Sequence, residues 1–350
     1  MKRFFQNSFL VIVCTTIIGV SGYSQDVHFS QFDAAPLYFN PALSGLFDCE
    51  HRVIGNYKGQ WATYQSFMLS YDRPIHELPF AGGYLGAGGL ILADYAGETN
   101  YGNTLLKLMP AYHNDIIPNK LTLSVGLDIM MNIMSINENK VLLPGGIDPI
   151  TGNPSFGVDF DNPTRFYADM GLGLNGVYQL NQNIPISAGA TFFRLFGSGG
   201  GGIASDFVHP NYRRFSLNAN SAIPVSESIV LLPSAIYLRQ KINQQLNFGS
   251  YVQFSLKGQT QLIDALYVGL WHRYGDAVIL GLAFDKPLNN AINMNLGMSY
   301  DITVSDFRSS DKWINANNVG TDSFEISVKF TYCRVPVVVS PQGIINDPFR

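Results

Sequence analysis

The middle of the chain contains the sequence Leu121-Thr122-Leu123-Ser124-Val125-Gly126-Leu127-Asp128-Ile129-Met130-Met131. Every odd-numbered position here is apolar, whereas most of the even-numbered positions are small or polar. Successive side chains of a β-strand point to opposite faces of a sheet. A strand therefore gathers the apolar residues on one face, whereas a helix would mix the two sets. The stretch predicts a β-strand with one apolar face.

The same alternation recurs at residues 166–180, 246–257, 292–302 and 324–332. Segments of about ten residues that alternate in this way, with turn residues between them, are typical of outer-membrane β-barrels. Fitting the weaker segments predicts about fourteen antiparallel strands, near residues 51–60, 65–73, 82–95, 102–113, 119–132, 165–180, 184–196, 212–225, 228–240, 244–257, 264–273, 276–286, 290–302 and 321–333.

The composition favours lipid over water around these strands. Only 14% of the 350 residues are charged, against roughly 25% in an ordinary soluble domain. The net charge of −4 argues against a basic nucleic-acid-binding protein. A soluble β-sandwich also alternates, but its strands average about five or six residues. We therefore predict an all-β transmembrane barrel over residues 51–333.

The lengths of the connections support this strand count. The long ones, at residues 133–164, 197–211 and 303–320, all follow odd-numbered strands. In outer-membrane barrels the long loops are extracellular and the periplasmic turns are short. We therefore expect the long loops outside the cell, with both chain termini in the periplasm.

The chain begins with features of a secretory signal peptide. Lys2 and Arg3 precede an apolar core at residues 9–20, and small residues before the site predict cleavage after Ser24. No later apolar run reaches 18 residues. Residues 25–50 do not alternate, and we expect them inside the barrel as a plug or beneath the periplasmic rim. Residues 334–350 are expected to form a periplasmic tail.

Cys49 precedes the first predicted strand and Cys333 ends the last one. In a closed barrel these strands are neighbours, so a disulfide between the two cysteines is geometrically allowed. Two unpaired thiols are the alternative.

The strongest short motifs of hydrolases, zinc proteases, redox proteins and nucleotide-binding proteins are missing from the sequence. Residues 171–176 spell GxGxxG, but they lie within a predicted strand that no helix follows. Inward-facing Gly171 and Gly173 are expected instead to make room for the contents of the lumen. The histidines are scattered along the sequence, so we predict no enzyme activity, catalytic residue, cofactor or metal.

Two neighbouring blocks, residues 25–32 and 36–45, closely resemble the N-terminal signature of the PorP/SprF family. They read Gln25-Asp26-Val27-His28-Phe29-Ser30-Gln31-Phe32 and Pro36-Leu37-Tyr38-Phe39-Asn40-Pro41-Ala42-Leu43-Ser44-Gly45. Residues 57–61, 70–74, 266–274 and 297–301 are similar to other parts of that family.

The resemblance implies a non-enzymatic outer-membrane barrel of the Bacteroidetes type IX secretion and gliding-motility machinery. Its expected partners are outer-membrane lipid and a secreted surface protein, such as a large adhesin with a C-terminal sorting domain. Periplasmic ring or peptidoglycan-binding components are further expected partners, and no nucleic acid is expected. Expected contacts to partners are His28, Phe29, Gln31, Asn40, Pro41 and Gly45 of the signature, and Gly199 and Gly200.

Two alternatives remain open at this point. The glycine-rich connection at residues 197–202 is either a partner-binding loop or only a flexible one. A barrel of about fourteen strands is intermediate in size between filled barrels and water-filled porins. A passive solute channel is therefore the alternative function.

Overall fold

The computed structural model describes residues 26–60, 63–97, 101–135, 137, 164–181, 183–197, 204–205, 212–256, 262–305 and 322–334. The barrel strands are β1 (His51–Gln60), β2 (Tyr64–Phe80), β3 (Gly83–Ala96), β4 (Tyr101–Ile117), β5 (Leu121–Ser135), β6 (Thr164–Asn181), β7 (Ile184–Phe193), β8 (Arg214–Ser221), β9 (Ile229–Gln240), β10 (Asn243–Ser255), β11 (Ala265–Arg273), β12 (Ala277–Pro287), β13 (Ile292–Thr303) and β14 (Ser323–Tyr332).

The sheet closes on itself as a barrel of 14 antiparallel strands. Each strand pairs with the next, and β1 pairs with β14 from His51 opposite Tyr332 to Gln60 opposite Ser323. The predicted fold class and strand count are confirmed. Among the described residues, no helix is both long enough and apolar enough to cross a membrane.

The two faces of the wall follow the alternation of the sequence. In β5 the side chain of Leu123 is 45% exposed on the outside, whereas Asp128 is fully buried on the inside. The same inside–outside pattern runs through β6, β11 and β14. The apolar exterior suits contact with lipid. The backbone can also enter lipid, because its polar groups are paired within the closed sheet.

β2 and β4 extend several residues beyond the predicted strands. The register of β2 against β3 is irregular between Ile75 and Phe80, and Arg73 forms an exposed ion pair with Glu77 in this part of β2. The alternation ends where these strands leave the apolar band, so hydrophobic periodicity predicts strands that are too short.

The two rims of the barrel differ. Residues 136–163, 194–213 and 304–322 connect strands at one end of the barrel, which we call the long-loop rim. β1 begins and β14 ends at the opposite end, which we call the terminal rim. At the terminal rim a disulfide joins Cys49 to Cys333, whose Cα atoms are 4.5 Å apart. The amide of Glu50 also donates to the carbonyl of Tyr332 (2.8 Å).

Candidate functional site: the filled lumen

The residues before β1 occupy the inside of the barrel. We call residues 26–47 the lumen segment. It forms three short turns, which are the 3-10 helices Phe32–Ala34 and Pro41–Leu43 and the α-helical turn Pro36–Phe39. Of the two positions that the sequence left open for this segment, it occupies the lumen. Most of its residues are buried.

The lumen segment spans the barrel from one rim to the other. Its first described residue, Asp26, forms ion pairs with Arg194 (2.7 Å) and Arg214 (3.1 Å). These arginines follow β7 and begin β8, so they lie at the long-loop rim. The segment therefore crosses the lumen from the long-loop rim to the terminal rim, where β1 begins.

A buried ion pair anchors the segment near the terminal rim. Arg52 of β1 donates to both carboxylate oxygens of Asp72 on β2 (3.0 and 2.7 Å). The same Asp72 accepts from the amide of Gly45 (2.8 Å), and Arg52 also reaches the carbonyl of Leu43 (3.4 Å). The chain turns at Gly45 with φ of 73°, a conformation that favours glycine. Wall and segment therefore share one hydrogen-bonded unit.

A buried histidine makes the next contact along the segment. The ring of His113 on β4 joins the carbonyl of Ser44 through Nε2 (2.8 Å) and the hydroxyl of Ser124 through Nδ1 (2.8 Å). A nitrogen that faces a carbonyl must carry a proton, so Nε2 is the donor to Ser44. This arrangement positions the segment against β4 and β5.

Glycines of the wall make room for Asn40 and Pro41. A Cβ atom on Gly126 or Gly173 would overlap Pro41, and one on Gly189 would overlap the Asn40 side chain. The Asn40 amide donates to the carbonyl of Leu174 (3.0 Å), and its oxygen caps the following turn. The expectation that Gly173 leaves space for lumen contents is confirmed. Gly171 instead faces wall atoms of Phe192 and Asp128.

A charged cluster surrounds Ser30 in the half of the barrel nearer the long-loop rim. The Ser30 hydroxyl lies 2.6 Å from Lys58 Nζ and 2.5 Å from Asp301 Oδ2. Arg273 also binds Asp301 (2.9 Å), and Glu325 accepts from the Ser30 amide (2.6 Å). Gln31 adds a bond to the Glu325 carbonyl (3.0 Å). Lys58 and Arg273 are paired with Asp301, and amide donors hold Glu325, so each buried charge has a polar partner.

Aromatic and aliphatic side chains fill the remaining space beside the segment. Phe32 packs edge-on against Trp271 of β11, which in turn packs edge-on against Tyr251 of β10. The buried cluster continues across the lumen to Met68, Leu90, Met109, Met130 and Ile236. The inside of this barrel is therefore packed like a protein core over the described residues.

Burial and charge shift the pKa values of groups in the lumen segment. Burial, with the nearby charges of Arg273 and Lys58, lowers the pKa of His28 to about 3, so its ring is neutral. Burial alone would raise the pKa of Asp26, but the charges of Arg194 and Arg214 outweigh it and lower the pKa. The start of the segment therefore carries a carboxylate held by two arginines.

The structure gathers the signature residues inside the barrel. Phe29, Gln31, Asn40 and Pro41 are buried, and each contacts the wall or its neighbours in the segment. Gly199 and Gly200 lie outside the described residues. Sequence reasoning missed the wall partners, such as Arg52, Asp72, Lys58 and Glu325. Their signal was present, because they are charged residues on inward faces of strands in a chain with few charges.

Among the described residues, no group of three or more His, Cys, Asp or Glu side chains is placed to hold a metal ion.

Solved structures with a similar fold include a channel and a transporter. They include the CymD monoaromatic hydrocarbon channel (10% identity, 92% of this chain and 97% of that chain, TM-score 0.51) and the Ralstonia pickettii toluene transporter TbuX (11%, 91% and 96%, 0.49). At these identities the likeness concerns the fold alone. The search of curated proteins found no match.

The family comparison agrees with the N-terminal signature. Residues 21–330 match the model of the type IX secretion system membrane protein PorP/SprF. The match covers the lumen segment and nearly all of the barrel. This chain therefore belongs to the PorP/SprF family of type IX secretion system membrane proteins.

Proposed function

We propose that this protein is a non-enzymatic docking component of the type IX secretion machinery, which supports the secretion or surface anchoring of an exported protein. The observation that carries the proposal is the filled lumen. A segment fixed at both rims occupies the space that a solute channel would keep open. The exported partner is expected to be a surface protein such as a large adhesin.

Docking to such a partner uses the long-loop rim. In outer-membrane barrels the longer connections face the outside and the short turns face the periplasm. We therefore infer that the long-loop rim is extracellular and that the terminal rim meets periplasmic components. Removal of residues 1–24 as a signal peptide belongs to the same proposal.

The alternative of a passive solute channel receives less support. The structural likeness to hydrocarbon channels extends to the fold, at 10% identity for CymD. In this chain Phe32, Tyr251 and Trp271 pack together across the inside of the barrel. A transport function would require the lumen segment to move.

Deleting the gene and cataloguing surface proteins by protease shaving and mass spectrometry tests the docking role. We expect one or a few surface proteins to disappear, and the intact gene to restore them. The control is complementation with Glu77→Gln, which alters an exposed ion pair and should restore them fully. An unchanged surface catalogue in the deletion strain would contradict the proposal.

Conductance in planar bilayers separates the two functions. We expect the purified protein to show no steady open pore. A stable ohmic conductance of the intact protein would favour the channel instead.

A further inference from the structure

Arg194 and Arg214 form a rigid pair of positive groups at the long-loop rim. Arg214 donates to the carbonyl of Tyr38 (3.0 Å), and its guanidinium lies over the rings of Tyr38 (4.6 Å) and Phe193 (4.2 Å). Arg194 reaches the carbonyl of Tyr212 (3.4 Å). These contacts hold both guanidinium groups in place independently of the anion between them.

The two arginines depend on one carboxylate. The side chains of Arg194 and Arg214 are 8% and 5% exposed, and both bind Asp26. The nearby Lys107 is already paired with Asp128 (2.7 Å). Two buried guanidinium groups without a counter-ion would be strongly unfavourable. Asp26 can therefore leave only if another anion takes its place.

The Asp26 side chain is partly exposed, and its contacts with the barrel wall are mainly those with Arg194 and Arg214. Its side chain is 22% exposed, and its amide makes a long bond to Gln240 (3.4 Å). A cleft lined by Asp26, His28, Arg214, Gln240, Asn243 and Gln244 lies beside it. Residues 240–243 form the turn between β9 and β10 at the long-loop rim. The cleft therefore reaches Arg214 and Asp26 from that rim.

We propose that Arg194 and Arg214 form a carboxylate-binding site, which Asp26 occupies as an internal ligand and which an acidic group of an incoming peptide takes over. The proposal rests on the docking function, since the peptide would belong to the exported partner. Arginine suits this task because its planar fork binds carboxylates in a bidentate manner. Displacing Asp26 would free the start of the lumen segment.

The test measures peptide binding to the purified full-length barrel in detergent micelles. The probe is Gly-Gly-Asp with an amidated C-terminus and an uncharged BODIPY dye on its N-terminus, read by fluorescence anisotropy. Asp26→Asn removes the internal charge but keeps the side-chain size. We expect it to bind the probe about tenfold or more tightly than the wild type, because the site no longer competes with its own ligand.

Matched variants assign the binding to the arginine pair. Arg214→Gln in the Asp26→Asn background should abolish the gain. Arg239→Gln, at an exposed arginine of β9 beside the same rim, should leave it intact. Equal affinities of the wild type and Asp26→Asn, or equal losses in the two arginine variants, would overturn the proposal.

Two further probes identify the source of the carboxylate. Gly-Gly-Asn with a free C-terminus offers only a terminal carboxylate. Gly-Gly-Asn with an amidated C-terminus offers no carboxylate. Binding of either carboxylate-bearing probe supports the site and names the preferred source, whereas equal binding of the uncharged amide overturns it.

A second measurement uses the wild type alone, in case Asp26→Asn does not fold. Saturating Gly-Gly-Asp amide should speed hydrogen exchange at residues 27–30, and the uncharged peptide should not. Unchanged exchange with both peptides would contradict displacement of Asp26. These binding and exchange experiments are independent of the surface-protein test. The carboxylate site can therefore fail while the docking function holds.

Discussion

Arg52 and Asp72 face each other across β1 and β2 as a fully buried, two-point ion pair, and both side chains also bind the lumen segment. The pair therefore joins the first hairpin of the wall to the material inside it. Removing one partner of a buried pair leaves an unmatched charge in a low-dielectric interior, which is more costly than losing an exposed pair.

Asp72→Asn is expected to lower the free energy of unfolding by about 3–5 kcal/mol. Urea unfolding in detergent, followed by tryptophan fluorescence, measures this change. Glu77→Gln breaks the exposed pair with Arg73 and should leave the free energy of unfolding nearly unchanged, because water screens the pair. Similar losses in both variants would show that Asp72 is not an anchor.

Gly126→Ala is expected to displace the lumen segment. The new methyl group would meet backbone atoms of Pro41 and Ala42, which cannot rotate away. We expect destabilisation of about 1–3 kcal/mol, as for other overpacked cores, together with new conductance in planar bilayers. The matched control is Gly89→Ala, whose methyl group meets only an ordinary contact at 3.6 Å. A silent Gly126→Ala variant would contradict the tight fit.

Replacing Cys49 and Cys333 with serine should lower the free energy of unfolding by about 2–4 kcal/mol, because the bond restricts the unfolded chain. Non-reducing peptide mapping of the wild type should first recover the two cysteines in one linked fragment. The wild type reduced with dithiothreitol is the control, because reduction breaks the bond and keeps both side chains. Recovery of both thiols in free form from the wild type would refute the pairing.

Acid should destabilise the protein through His28. Its pKa falls from 6.5 to about 3 on folding, so the unfolded chain binds the extra proton between these values. The stabilisation from a neutral His28 is complete above pH 6.5 and is lost as the pH falls toward 3. Between pH 6 and 4 the free energy of unfolding of the wild type should fall more steeply than that of His28→Gln. Parallel pH profiles of the two proteins would contradict the burial of a neutral ring.

The architecture of the wall was predictable because lipid imposes a regular pattern. β1 was placed with the same bounds that the structure gives, since every second residue of that strand faces the lumen. β8 was harder, because it is interrupted at Ala222 before the short stretch Ile223–Pro224. Alternation in the sequence indicates whether a side chain points into or out of the barrel. It does not indicate where the hydrogen bonds between two strands are interrupted.

The contents of the lumen were only partly predictable. The sequence set residues 25–50 apart because they do not alternate, and it identified Gly173 as a residue that makes space. It did not reveal that Asn40 fits beside Gly173 or that Asp26 meets Arg214, because such partners lie more than 100 residues apart in the chain. These contacts depend on the register of strands around the ring, which local patterns do not specify.

The Cys49–Cys333 disulfide makes the two ends of the lumen segment unequal in how firmly they are attached. One end is held covalently at the terminal rim, while the other is held at Asp26 by non-covalent charge contacts. Displacement of Asp26 would therefore free the segment first beside Arg214, while its other end would stay attached to the wall.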